Sequence, residues 1–308
     1  MMNDLLILRE KPQTTTLYML AGWRQWADAG SISSALPKYL IQETNARKIG
    51  EIKPNGFYLF QIPGTHHLLR PTVKLQDGYR QSFSTKRNEF YYTGIAESGL
   101  LIFLGDEPHM NVEQYAEVFL QAVQELGVKR VVSLGGVYGA MPYDKERQIS
   151  CLYSLKRMKA ELEAYALQFS DYEGGATIGT YLVDQAEPLD IEFLDLYAFV
   201  PAYDFAQSLG QPQGISVEND FKAWYDVMRR FNHMTGLGID LADLQRRSDE
   251  LIAALDDKIA EVEAEMPQLS VREYMENLDT EFNEQPFMPL DDVWEQGLQD
   301  LFDDLDEG

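Results

Sequence analysis

Five polar residues in this sequence are of the types that bind anions and move protons, and each lies in a loop that follows an apolar run: Asp28, Asp106, Glu107, Tyr138 and Arg147. An arginine holds an anionic group through two parallel hydrogen bonds, and a nearby carboxyl group can act as a general acid or base. If these side chains meet in one crevice, Arg147 binds the anion and Asp106 or Glu107 transfers a proton. The turn that contains Asp28 then forms the floor of the crevice. This pattern predicts an enzyme acting on a small anionic substrate.

Each of these residues also has a structural interpretation. Asp28 is well placed to cap the helix after it, and Asp106 and Glu107 to complement the dipole of the next helix. Arg147 ends the charged stretch DKER, which is typical of a solvated loop. No Ser-His-Asp or Cys-His arrangement can be assembled, because Cys151 lies in an apolar run and is best interpreted as a small buried hydrophobe.

Short apolar runs alternate with helical periodicity through the first two thirds of the chain, which predicts a layered α/β fold. Strands are predicted at 16–21, 56–62, 100–104, 130–134, 148–153 and 194–200, and helices at 32–43, 112–126 and 155–165. The unit from 100 to 134 reads as strand, helix and parallel strand. Asp77-Gly78 between alternating residues predicts a β-hairpin over 73–83.

The polar loops follow the predicted strands rather than precede them. If those strands are parallel, the loops emerge at the carboxyl edge of one sheet, where open α/β sheets bind their ligands. The residues expected to line a ligand crevice there are Gly22, Trp23, Asp28, Gly30, Gly105, Gly135, Gly136 and Tyr203.

The stretch GWRQWADAG, from Gly22 to Gly30, is the most unusual of these loops. We expect Gly22 to adopt a backbone conformation closed to other residues, and both Trp23 and Trp26 to be exposed. The loop matches neither a dinucleotide fingerprint nor a phosphate-binding P-loop, so the sequence predicts no nucleotide cofactor. Close packing and a helix cap explain the loop at least as well as a ligand does.

The composition excludes several classes of function. A net charge of −24 disfavours binding to nucleic acid or to anionic membranes. No apolar run is long enough to span a membrane, and an acidic residue stands where a signal peptide would be basic, so we expect a cytoplasmic protein. One cysteine and four scattered histidines offer no ligand set for a metal, and none is predicted.

The last third of the chain has a different composition, which predicts three parts: an α/β core over 1–214, a helical hairpin over 215–268 and an acidic tail over 269–308. Helices at 217–235 and 241–266 form a hairpin that packs on the core or projects from it as an oligomerisation arm. Residues 271–308 hold 13 acidic residues against one basic residue. Apolar residues at helical spacing in the tail, among them Trp294, Leu298 and Phe302, could dock on a groove of this protein or of a partner. The alternative is a disordered, solubilising tail.

A series of motifs resembles the proteasome assembly chaperone 2 family in its bacterial and archaeal branch. In order along the chain they are GW…DAG, LGDEP, LGVKRVVSLGG, YEGGATIGTYL and FVPAYDF. The similarity runs from about residue 17 to about residue 255. It implies a three-layer α/β sandwich like that of nucleoside phosphorylases, with a mostly parallel central sheet, C-terminal helices and frequent homo-oligomers.

The sequence departs from the family pattern at several positions. Four residues separate Trp23 from Asp28 where one is usual, and Ala202 stands where relatives carry a histidine. Proteasome-binding members can end in a hydrophobic-tyrosine-any tripeptide, whereas the last residues here are Asp-Glu-Gly. We therefore expect no proteasome docking by that route.

Two hypotheses remain open. The favoured one is a non-catalytic protein-binding or assembly factor that associates with itself and with another protein, because neither a metal set nor a nucleotide loop is found. The alternative is an enzyme with a phosphorylase-like or ligase-like site at the carboxyl edge, which rests on the fold that the resemblance implies.

Overall fold

A computed structural model of the chain describes residues 4–61, 70–205 and 214–287. The strands are β1 (Leu6–Leu8), β2 (Thr16–Arg24), β3 (Arg47–Ile52), β4 (Thr72–Gln76), β5 (Tyr79–Ser84), β6 (Asn88–Gly94), β7 (Ser98–Asp106), β8 (Val128–Gly139), β9 (Ile149–Tyr153), β10 (Gln168–Phe169), β11 (Glu192–Asp204) and β12 (Gly214–Ser216). The α-helices are α1 (Leu36–Glu43), α2 (Val112–Leu126), α3 (Lys159–Leu162), α4 (Ile178–Ala186), α5 (Phe221–Thr235), α6 (Ala242–Glu265) and α7 (Val271–Glu281).

The large sheet has the strand order β1-β3-β6-β7-β2-β8-β11-β9-β10, with β12 paired to β11. Its four central strands, β7, β2, β8 and β11, are parallel, and antiparallel pairs flank them on both sides. The predicted carboxyl edge therefore exists. All four central strands end there, which brings the loops after them together.

Helices cover both faces of the sheet, which confirms the three-layer sandwich. On one face α1, α3, α5 and α6 pack over alternate side chains of the central strands, such as Leu20 and Leu134. On the other face α2 and α4 pack over the intervening side chains, such as Met19 and Phe193. Two apolar layers of this kind are the usual consequence of burying both faces of a parallel sheet.

The helix predicted at 112–126 has the same bounds in the structure. Its apolar face is buried against the sheet, and Gly127 ends it with φ 75°, a left-handed conformation that glycine adopts without strain. The predicted hairpin is also present, as β4 and β5 joined at Asp77-Gly78, but it forms a separate two-stranded ribbon.

Three predicted elements differ from the structure. Residues 56–60 form turns and coil, so the strand predicted at 56–62 is wrong over the part that the structure describes. The segment 155–165 is helical but broken into short pieces around α3, and the helix predicted from residue 32 begins at Leu36. The neighbouring strands β3 and β6 and the helix α4 were not predicted.

The C-terminal helices extend one face of the sandwich. Helix α5 places Trp224, Val227 and Phe231 in the core on that face. The indole N–H of Trp224 donates to the carbonyl of Gly30, at 2.9 Å. Helix α6 packs on α5, and α7 contacts α6. Residues 288–308 lie outside the described residues, and with them the partner-binding candidates Trp294, Leu298 and Phe302.

Candidate functional site

The loop after β2 crosses the carboxyl edge and is bonded to the end of β8. The backbone N–H of Gly136 donates to the carbonyl of Ala27, at 2.9 Å, and Asp28 forms an isolated parallel bridge with Gly136. A loop and a strand that lie more than 100 residues apart in the sequence are thus joined. The site is built around this junction.

Asp28 holds the turn that leads into α1. Its Oδ1 accepts hydrogen bonds from the backbone N–H groups of Ser33 and Ser34, at 2.8 and 3.0 Å. Burial raises the pKa of Asp28, although these hydrogen bonds oppose the shift. The carboxyl group is therefore occupied in stabilising the backbone of the turn; it does not cap α1, which begins at Leu36 after Ala35.

Gly22 and Gly30 are required in the turn for different reasons. Gly22 lies inside β2 and is not left-handed, so the expectation about its conformation is wrong. A Cβ there would lie 2.0 Å from the carbonyl oxygen of Ser33, so the close approach of strand and turn needs glycine. Gly30 has φ 62° and packs against Asp220. The other three glycines that were expected to line the crevice are also in close contact with neighbouring groups, so none of them has room for a Cβ: Gly105, Gly135 and Gly136.

The two tryptophans of the turn have opposite environments. Trp23 is fully buried, and its indole N–H donates to the hydroxyl of Tyr115, at 2.8 Å. The expectation that it is exposed is therefore wrong: β2 runs three residues beyond its predicted end, which directs Trp23 into the layer beneath α2. Trp26 is 64% exposed at the edge. Only Trp26 is available to a ligand.

Arg147 is sealed inside the protein. Its Nε and Nη2 donate to the carboxylate of Asp220, at 2.9 and 3.3 Å, and its Nη1 donates to the carbonyls of Tyr143 and Lys145. Both members of the ion pair have fully buried side chains. The guanidinium therefore has its hydrogen bonds satisfied within the chain, and a substrate anion has no access to it.

The neighbours Asp106 and Glu107 diverge. Asp106 accepts from the backbone N–H of Arg87, at 3.0 Å, and pairs with Lys86. Glu107 accepts from the backbone N–H of Ile178, at 3.0 Å, at the start of α4, and burial raises its pKa. Each carboxylate is thus engaged with a different part of the backbone.

The structure does not bring the five chemistry-bearing candidates together. Glu107 contacts α4 on one face of the sheet, whereas Arg147 pairs at the start of α5 on the other face. Tyr138 is 55% exposed. Tyr203, from the crevice set, is buried and donates its hydroxyl to the carbonyl of Met141, at 2.7 Å. A constellation of an acid, a base and an anion-binding arginine is not formed.

A buried polar network that the sequence analysis did not single out lies behind the edge. Asp195, near the start of β11, is inaccessible to solvent and accepts hydrogen bonds from Ser133 and Tyr197, both at 2.7 Å, and from Thr180, at 3.3 Å. Burial raises the pKa values of Asp195 and Tyr197. The sequence feature that could have revealed this network is Asp195 itself, an acidic residue inside the apolar run FLDLYAF.

An open apolar pocket of about 130 Å³ lies over this network. Its walls include Trp26, Val137, Leu152, Tyr172 and Phe199, together with Tyr197, whose hydroxyl donates to Asp195. Trp26 and Tyr172 are 64% and 68% exposed, so two large aromatic groups border an apolar cavity. Such a surface suits an aromatic or aliphatic side chain of another protein.

A second cavity of about 330 Å³ lies beside the first, at the ends of β2 and β7. We call it the basic cleft, because its walls carry the cations Arg24, Arg70, Lys86 and Arg87. Asp106 is the acidic residue in its wall and is paired with Lys86. The cleft is a local concentration of positive charge in a chain with a net charge of −24.

The described residues contain no group of three or more histidine, cysteine or acidic side chains that could hold a metal ion. Among those same residues, every helix is too short or too polar to cross a membrane. Neither finding bears on the residues outside 4–61, 70–205 and 214–287.

Comparison with solved structures shows the same fold in several proteins. A PAC2 family protein from Streptomyces avermitilis is 23% identical, with 84% of this chain and 99% of that chain covered and a TM-score of 0.67. A proteasome-assembly chaperone homologue from Mycobacterium tuberculosis is 21% identical, with coverages of 80% and 96% and a TM-score of 0.67. An archaeal proteasome activator from Pyrococcus furiosus is 21% identical, with coverages of 82% and 97% and a TM-score of 0.54.

The family comparison agrees with the structural one. No curated protein matches the chain in a sequence search. The model of the PAC2 family matches residues 23–259, which is more than half of the sequence and includes the turn after β2, helix α5 and most of helix α6. This confirms the resemblance that the motifs carry, and the chain belongs to the PAC2 family.

Proposed function

We propose that this protein is a non-catalytic assembly factor that binds another protein at the carboxyl edge of its sheet. The observation that carries the proposal is the contrast between two sets of residues at that edge. The acids and the arginine that could do chemistry are engaged internally, whereas Trp26 and Tyr172 stand exposed around an apolar pocket. Exposed aromatic anchors of this kind dominate the energetics of protein interfaces.

The relatives suggest the class of partner. One is described as a proteasome-assembly chaperone homologue and another as a proteasome activator. We therefore propose that the partner is a proteasome subunit or a subunit of a similar ring, and that the chain also associates with itself. The apolar pocket receives a side chain of the partner, and Tyr197, held by Asp195, keeps the pocket floor rigid.

The test uses purified proteasome α and β subunits mixed with the full chain, with complexes followed by native mass spectrometry and ring assembly by native gels. We expect the wild-type chain to form a complex and to change the rate of ring assembly. The double substitution Trp26→Ala with Tyr172→Ser is expected to weaken the complex at least tenfold, since hot-spot aromatics each contribute about 2 kcal/mol or more.

Ile95→Ala is the matched control. Ile95 is also a large exposed apolar residue, but it lies in the turn between β6 and β7, at the opposite edge of the sheet. It should leave complex formation unchanged. A complex that survives the double substitution would place the interface elsewhere, and the absence of any complex would exclude this partner class. Saturable binding of Mg-ATP would contradict the non-catalytic assignment.

A further inference from the structure

Among the described residues, none covers the ribbon formed by β4 and β5 as the helices cover the large sheet. It is inserted between β3 and β6, and every residue of both strands is exposed. An isolated two-stranded ribbon is marginally stable in water and is normally packed against something. The ribbon is therefore a surface that is open to an occupant.

One face of the ribbon is apolar. Val73 lies opposite Phe83, and Leu75, two residues further along β4, lies opposite Arg80 beyond a register shift between Lys74 and Leu75. By strand alternation Val73, Leu75 and Phe83 share a face that Arg80 borders. Their exposed fractions are 52%, 52% and 58%. Water contact of three large apolar side chains on one face is unfavourable, and covering them would stabilise the ribbon.

The ribbon is also positively charged. Residues 70–87 hold five basic residues and one acidic residue, in a chain whose net charge is −24. Within the part of the chain that the structure describes, Lys74 and Arg80 form no ion pair. At the base of the ribbon, Arg70, Lys86 and Arg87 line the basic cleft. The surface therefore suits an occupant that is both apolar and acidic.

The chain itself contains a segment with these two properties. Residues 288–308, which we call the acidic segment, hold eight acidic residues and no basic residue. Apolar residues recur through it at helical spacing, including Trp294, Leu298 and Phe302. The acidic segment begins directly after Phe287, the last described residue.

Length and charge both allow the acidic segment to reach the ribbon. At about 3.3 Å per residue, the 15 residues from Phe287 to Phe302 span up to roughly 50 Å, comparable with the diameter of a domain of this size. The helices nearest to it in the sequence repel it: α6 carries eight acidic residues and three basic ones. The ribbon and the basic cleft offer the opposite charge.

We propose that the acidic segment docks intramolecularly on the ribbon, with Leu298 and Phe302 covering the apolar face. Its carboxylates then face Arg80 and the cations of the basic cleft. The proposal concerns a contact within one chain and is independent of the proposed partner at the carboxyl edge.

Hydrogen–deuterium exchange on the full chain tests this contact. The double substitution Leu298→Ser with Phe302→Ser is expected to speed amide exchange in residues 72–84 at least tenfold. The charge reversal Arg80→Glu with Arg70→Glu is expected to speed exchange in residues 288–308 by a similar factor. Exchange in α2 should stay unchanged in both variants, which shows that the core remains folded. Ile95→Ser, a substitution of an exposed apolar residue away from the ribbon, is the control and should alter neither segment.

Three results would overturn the proposal. The first is ribbon exchange that does not respond to the double substitution in the acidic segment. The second is exchange in the acidic segment that does not respond to charge reversal on the ribbon. The third is protection that disappears on dilution, because it would mean that the segment comes from a second copy. Protection that persists on dilution and weakens with added salt supports docking within one chain.

Discussion

Arg147 and Asp220 form an ion pair inside the protein, with 2.9 Å between Nε and Oδ2 and neither side chain accessible to solvent. Asp220 also accepts from the backbone N–H of Ala223 and so caps α5. The pair joins the loop after β8 to the C-terminal helices. An arginine that the sequence suggested as a ligand-binding group is thus a structural link between two parts of the chain.

Removing one member of this pair leaves the other buried without its counter-charge. We expect Arg147→Ala to lower the free energy of unfolding by roughly 3–5 kcal/mol, measured by urea denaturation. Arg157→Ala breaks an ion pair with Asp190 whose side chains are both exposed, and should cause no measurable change. Equal effects of the two substitutions would contradict the structural role assigned to Arg147.

The buried carboxyl group of Asp195 predicts a pH dependence of stability. Burial raises its pKa above the usual value of 3.8, so over the interval between the two values the folded protein binds more protons than the unfolded chain. The stabilisation that the folded protein gains by binding this proton is therefore fully present below pH 3.8. It is lost as the pH rises through the pKa of Asp195 in the folded protein. Asparagine cannot titrate. We expect the stability of Asp195→Asn relative to the wild type to increase as the pH rises above about 4.

Urea denaturation at a series of pH values measures this difference. Ser133→Ala is the control, because it removes one hydrogen bond to Asp195 but leaves the carboxyl group in place. It should lower stability, and because loss of this hydrogen bond raises the pKa of Asp195 further, stability should still fall as the pH rises, as in the wild type. A stability difference between Asp195→Asn and the wild type that is the same at every pH would show that Asp195 does not titrate over this range.

The fold was predictable where the sequence pattern is strong. The amphipathic periodicity of α2 and the apolar central strands gave the α/β class, and the order of polar loops gave the carboxyl edge. Strands β3 and β6 were missed because charged side chains, such as Lys48 and Glu89, alternate with their apolar ones, as in many edge regions. A strand was wrongly predicted over the described part of 56–62 because the apolar residues there resemble those of a buried strand. Phe57 is indeed buried, but it lies in a loop.

The candidate site was less predictable than the fold, because the direction in which each side chain points determines whether it is accessible to a ligand. Trp23 and Trp26 are three residues apart in one motif, yet one lies in the core and the other in solvent. Composition cannot separate them, since the difference comes from where β2 ends. The Asp195 network was equally hidden: its members come from β8, α4 and β11, and only the packing of α4 on the sheet brings them together.

The two tryptophans therefore give a direct comparison. We expect Trp23→Ala to cost roughly 3–5 kcal/mol of unfolding free energy, because it opens a cavity and removes the hydrogen bond to Tyr115. Trp26→Ala should change stability by less than about 0.5 kcal/mol, as exposed positions usually do. Urea denaturation measures both. Loss of the red-shifted part of the tryptophan fluorescence in Trp26→Ala, but not in Trp23→Phe, would support the assigned environments.

The last prediction concerns the close backbone contacts of the turn after β2. A Cβ on Gly22 would lie 2.0 Å from the carbonyl oxygen of Ser33, and one on Gly136 would lie 2.0 Å from that of Ala29. Backbone atoms cannot move aside cheaply, so Gly22→Ala and Gly136→Ala are each expected to cost at least about 1–3 kcal/mol. Gly175→Ala is the matched control, because no atom lies within 4 Å of its Cβ position. Thermal denaturation of the three variants should lower the melting temperature for the first two only. An unchanged melting temperature in Gly22→Ala would mean that strand and turn are not in contact, and the turn would then be free to open toward a ligand.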